Sequence, residues 1–245
     1  MCGSLSSYKP WKEIQDFYSL SISSERLKKV DPQPTAVVRP TDQRPFIRVA
    51  GGERGLDLGT WGFSPPAGRS TPIINARCET MDVLPTFANA FEHHRCVIPV
   101  TGYYEWKKEV TGSRTPWHFS LDRVANTGGA IAAERQVSKN KLFEGEGANL
   151  LVMAGLFMAS PKTKQRHFVI LTTEPNEITE EIHDRMPVIL TGGMMDIWLS
   201  SHAAPQALKR MCRPYEGTNL NATLVSKNSH QLPKFVDENQ LRFSL

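Results

Sequence analysis

The sequence predicts an α+β fold: one domain over residues 1–245, built on a mostly antiparallel β-sheet or barrel with peripheral helices. Three observations carry this. Short apolar or alternating runs crowd the middle of the chain, helical patterns are fewer, and the two do not alternate as a parallel βαβ arrangement requires. In chain order, residues 9–20 come first, a short amphipathic helix with Trp11, Ile14, Phe17 and Tyr18 on one face. Pro32, Pro34, Pro40 and Pro45 then interrupt regular structure. Strand-like runs follow at 46–49, 58–61, 96–106, 117–121, 150–158 and 168–172, with two more at 188–190 and 222–225. Helical patterns fall at 81–91, where Thr80 offers a cap, and at 177–183, 194–200 and 205–211. Residues 125–147, rich in Gly, Asn, Lys and Glu, read as an inserted surface loop with a brief helix near 130–136. No internal repeat is present.

A chain of 245 residues with 40% hydrophobic and 22% charged residues is able to bury an ordinary globular core. Its formal charge of +4 permits a polyanionic partner without demanding one. The four cysteines, Cys2, Cys78, Cys96 and Cys212, form no C-x-x-C pair, so neither a disulfide framework nor a metal site is signalled, and no cofactor is expected. The longest apolar stretch, 150–158, is too short to cross a bilayer, and Lys9, Lys12 and Glu13 rule out an apolar signal core. The expectation is a monomer without a membrane partner, in a reducing compartment: cytoplasmic and nucleoid-associated in a bacterium or virus host, nuclear in a eukaryote.

The most informative chemistry is at Cys2. Once Met1 is removed, one residue carries an α-amine with an ordinary pKa of ~7.7 and a thiol of ~8.5. An aldehyde reacts with both: the amine forms an imine, the thiol adds to the same carbon, and a thiazolidine ring closes. Four further segments place polar groups in apolar runs. Asn75 and Arg77 lie two apart on one side of an extended segment. Glu105 sits between Tyr104 and Trp106, surroundings that raise a carboxyl pKa by desolvation, with pairing to Lys107 or Arg77 as the structural alternative. Thr172 and Thr173 end an apolar strand, and His183, Asp184 and Arg185 follow one another.

Together, Met1-Cys2-Gly3, Trp61-Gly62, the run from Ile74 to Thr80, the run from Gly102 to Trp106 and the run from Ile182 to Pro187 resemble the SRAP (SOS-response-associated peptidase) family, in order and over nearly the whole chain. The resemblance implies a protein that binds single-stranded DNA at abasic sites and crosslinks to the open-chain aldehyde through Cys2. It implies that Asn75 holds the reacting centre, Glu105 acts as general acid/base and His183 assists ring opening and proton transfer. Arg77 and Arg185 would bind phosphates, with Thr172 as hydroxyl partner and Pro40 shaping the pocket. The family's peptidase label implies self-removal of Met1, and an external aminopeptidase is equally compatible. Ser4 stands where the family usually has Arg, Val37 where it has Asn, and the loop 63–69 lacks the usual tryptophan, so weaker DNA binding is expected with the covalent chemistry intact. Two other classes compete: an N-terminal-nucleophile peptidase or amidohydrolase, and a non-catalytic single-stranded DNA binder.

Overall fold

Apolar runs without polar alternation need cover on both faces, and the chain provides it by closing five strands into a barrel between helices and a second sheet. The computed structural model of the chain describes residues 2–22, 33–65, 70–121, 150–160 and 163–225. Along it run β1 (Ser4–Ser7), α1 (Trp11–Phe17), β2 (Ser21–Ile22), β3 (Thr35–Val38), β4 (Gln43–Ala50), β5 (Glu53–Trp61) and β6 (Asn75–Arg77). Then come α2 (Pro85–His93), β7 (Arg95–Val100), β8 (Gly102–Lys108), β9 (Arg114–Leu121), β10 (Leu151–Ala159) and β11 (Arg166–Thr173). The last elements are α3 (Glu177–Glu180), β12 (Met186–Pro187), α4 (Met194–Leu199), α5 (Pro205–Met211) and β13 (Leu220–Leu224).

Strands β11, β10, β7, β4 and β5 pair in that order, and a parallel pairing of β5 with β11 closes the ring. The other sheet has the order β13-β9-β8-β1-β3 and is antiparallel throughout. The expected α+β fold on a mostly antiparallel barrel with peripheral helices is therefore what the chain adopts. Alternate barrel residues serve two cores. Ile47, Val97, Val152, Val169 and Leu171 pack with Phe87, Phe91 and Trp198 of the helices. Phe46, Ile98, Leu151, Phe168 and Ile170 pack with Leu5, Val38, Tyr103 and Phe119 of the second sheet.

Several expected boundaries move, each for a local reason. The run 96–106 is two strands, broken at Thr101, where the chain leaves the barrel for the second sheet. Gly102 makes the crossing possible, since a Cβ there would overlap His118 Nε2 and the carbonyl of Phe119. The helix expected at 81–91 begins at Pro85 with Leu84 as N-cap, so Thr80 caps nothing; proline at the first helical position decides the start. The first helix is limited to Trp11–Phe17, because Ser19 takes a positive φ of 49°. The helix of 177–183 stops at Glu180, and its start is capped by Asn176, whose Oδ1 accepts the Thr179 N–H. The polar strand β1 and the strand β3 are additions to the expected set, while the extended segment expected at Asn75 and Arg77 is the parallel strand β6. The loop expected at 125–147 lies outside the described residues.

Candidate active site

Strand β1 lies between β8 and β3, with Ser4 opposite Tyr104, Leu5 opposite Tyr103 and Ser6 opposite Gly102. Continuing that antiparallel register brings Gly3 level with Glu105, and so delivers Cys2 to the carboxylate. Cys2 is 1% exposed with Met1 still attached. Asn75 Nδ2 donates to the Cys2 carbonyl at 2.9 Å, while Asn75 Oδ1 is buried without a hydrogen-bond partner among the described residues. Burial, and then the neighbouring Glu105 charge, push the Cys2 thiol well above its ordinary pKa, so it needs a base to become a nucleophile.

Glu105 is 2% exposed, and burial pushes its carboxyl up to about 7. A group poised there gives and accepts a proton at neutral pH. Its Oε2 lies 3.8 Å from His183 Nε2. His183 Nδ1 accepts the Arg185 backbone N–H at 3.1 Å, which assigns the proton of the neutral ring to Nε2, facing Glu105. Asp184 Oδ1 is 2.9 Å from the same Nδ1 and takes over as its acceptor when the ring gains a second proton. Burial holds the His183 pKa below its ordinary value. The imidazole, partly exposed, forms the open side of the site.

Strand β11 positions the basic residues. It pairs in parallel with β6, Ile170 beside Asn75 and Thr172 beside Arg77, and antiparallel with β12, Thr172 beside Pro187. The Thr172 carbonyl collects three donors: Cys78 N at 3.0 Å, Cys78 Sγ at 2.7 Å and Arg185 Nη2 at 2.7 Å. Arg185 also grips Glu79 with two parallel hydrogen bonds of 2.7 and 2.9 Å. Arg77 is exposed. Thr172 is fully buried, with its hydroxyl 3.5 Å from the Ala76 carbonyl, and so sits as a strut behind Arg185 and β6. Pro40 lies in the turn after β3, whose Val38 pairs with Leu5, three residues beyond Cys2.

Cys2, Asn75, Glu105 and His183 are thus brought together, with Arg77 and Arg185 along one margin. Sequence reasoning missed Glu79 as the partner of Arg185, although its place two residues after Arg77 was the available signal. It also misjudged what desolvates Glu105. Tyr104 and Trp106 point to the opposite face of β8, and the residues sharing its face are Tyr103 and the cross-strand Trp117. Ser4, on the family's arginine position, is buried, and its hydroxyl donates to the Gly3 carbonyl at 2.7 Å. Among the described residues no group of three His, Cys, Asp or Glu side chains could hold a metal ion, and no helix is long and apolar enough to cross a membrane.

The chain is similar to several known proteins. The abasic site processing protein YoqW of Bacillus subtilis is 27% identical over 97% of this chain and 99% of its own length. The abasic site processing protein YoaM of the same organism is 29% identical over 92% of this chain and 91% of its own. A crystal structure of a Bacteroides thetaiotaomicron protein has the same fold, with a TM-score of 0.70 at 21% identity over 92% of this chain and 93% of that one. The family model for SOS response associated peptidase (SRAP) matches residues 1–231, and the chain belongs to that family.

Proposed function

We propose that the protein processes abasic sites in single-stranded DNA by forming a thiazolidine crosslink through Cys2. One observation carries this reading above all: a buried carboxyl with a pKa near neutrality lies between the start of the chain and an imidazole 3.8 Å away. With Met1 removed, the Glu105 carboxylate accepts a proton from the Cys2 α-ammonium, and the freed amine attacks the open-chain aldehyde. His183 relays protons through Nε2: the anomeric hydroxyl's proton reaches the ring oxygen as the sugar opens, and the proton taken by Glu105 reaches the hydroxyl that leaves as water. The carboxylate so freed accepts the thiol's proton as sulfur adds to the imine carbon. Aldehyde, amine and thiol combine with loss of one water, and nothing is oxidised or reduced. Asn75 fixes the Cys2 carbonyl so that both nucleophiles start from an anchored residue. Arg77 binds a flanking phosphate, and Arg185 does so by exchanging the Glu79 carboxylate for it.

Mixing the protein with an oligonucleotide bearing one abasic site should yield an adduct that survives denaturation and has the summed mass less one water. Cys2→Ala, or an extension ahead of Cys2, should abolish it; undiminished yield from either protein overturns the reading. The 1% exposure of Cys2 favours self-removal of Met1 over trimming of the folded chain by another enzyme, with Glu105 and His183 serving the same proton transfers. Intact mass of Glu105→Gln made in cells tests this, since self-removal requires Met1 to be retained.

A further inference from the structure

Beside the reacting centre, the inner face of the second sheet continues past Glu105 into a cavity of about 360 Å³ lined by Lys107, Trp117, Glu177, Ile178, Glu181, Ile182 and Ala222. Glu105 pairs directly across the strands with Trp117, Lys107 is two residues further along the same face, and Ile182 precedes His183. The cavity therefore shares a wall with the site and opens along the same strand. Its volume lies within the range of small-ligand pockets, roughly 300–1,000 Å³. Trp117 is partly exposed, while its indole nitrogen is turned inward and buried, so what the side chain offers the cavity is ring surface.

We propose that this cavity is a subsite for the nucleobase next to the abasic sugar, which stacks on Trp117. It presupposes the crosslinking reaction proposed above, because a strand must enter beside Cys2. The lining selects a flat, uncharged heteroaromatic. Ile178, Ile182 and Ala222 give it apolar cover, and the aromatic face of Trp117 supplies sequence-tolerant stacking. Adenine, cytosine and guanine bring an exocyclic amino group that Glu177 and Glu181 could accept from, and thymine does not. The same two carboxylates repel a phosphate, which keeps the backbone on the side of Lys107, Arg77 and Arg185.

The test uses oligonucleotides with one abasic site whose 5′ or 3′ neighbour is each of the four bases or a baseless, unreactive tetrahydrofuran residue. Adduct formation is timed at sub-saturating DNA for the protein, Trp117→Phe and Trp117→Ala. On one side only, removing the neighbouring base should slow the reaction about tenfold, the size expected for one stacked base. Thymine should be the weakest of the four. Trp117→Phe should keep part of the base effect, and Trp117→Ala should abolish it. A rate indifferent to the neighbour on both sides, or a base effect that survives in Trp117→Ala, overturns the subsite while leaving the crosslink standing. A second measurement separates the two readings: tryptophan emission, as the difference between the protein and Trp117→Phe, on binding an unreactive strand with tetrahydrofuran in place of the abasic sugar. An emission change that requires the neighbouring base, from a protein that forms no adduct with the abasic oligonucleotides, supports the subsite and overturns the crosslink. No emission change on the unreactive strand and no adduct with the abasic ones overturns both.

Discussion

Among the described residues two carboxylates are buried in strands, and they have been given opposite surroundings. Asp57, on barrel strand β5, is fully buried and receives Arg48 Nε at 2.6 Å, Arg166 Nε at 3.0 Å, Arg166 Nη1 at 3.1 Å and the Leu58 backbone N–H at 2.8 Å. Arg48 also lies 5.8 Å from the centre of the Phe157 ring. Glu105, on β8 and as deeply buried, has the His183 imidazole 3.8 Å away. Asp57 is thus gripped by two guanidiniums, a tie between strands. Glu105 is held where its proton is easily exchanged. The difference teaches that burial alone does not mark a catalytic carboxyl; the identity of the neighbours separates a strut from an acid/base.

The contrast can be broken by neutralising each group in turn. Glu105→Gln should slow adduct formation by about 10²–10⁴-fold and flatten a rate that in the native protein climbs as pH passes about 7, both read from single-turnover kinetics. Asp57→Asn should do the reverse. Losing the carboxylate shared by two arginines should cost about 3 kcal/mol in denaturant unfolding, with the rate per folded molecule unchanged.

Stability against pH sharpens the same point. Because the folded pKa of Glu105 is raised from 4.5 to about 7, its contribution is fully present below pH 4.5 and is lost as pH rises through 7. Glu105→Gln should therefore match the native protein near pH 4 and exceed it at pH 8, by at most about 3 kcal/mol for a shift of this size. The smallest effect is expected from Arg77→Ala. It should weaken binding of any strand alike and reduce the dependence of log affinity on log salt by about one, leaving the adduct chemistry intact.

How much of this was legible in the sequence differs by element. The barrel strands and α5 were, because apolar runs and proline-led starts are local signals. Strand β1 was not: Ser4-Leu5-Ser6-Ser7 is mostly polar, yet all four residues are buried, and only pairing with strands far along the chain makes it a strand. The break at Thr101 was hidden for a similar reason, since residues on both sides of it are buried in different sheets. At the site, the residue types at 2, 75, 105 and 183 were visible, and the family pattern linked them. The Arg185–Glu79 grip, spanning 106 positions, and the inward-turned indole nitrogen of Trp117 arise from tertiary packing, which no local pattern encodes.

The carbonyl of Thr172, where three donors converge, has a consequence for anyone wishing to transplant this chemistry. It binds the residue after Arg77 and the guanidinium of Arg185 to one point on β11, so the basic margin of the site is a property of three strands in one register. Sliding β11 by a single residue would reverse every side chain on it and scatter that margin. A graft onto another scaffold would have to carry those strands whole; copying the side chains alone would leave them with nothing to hold their order.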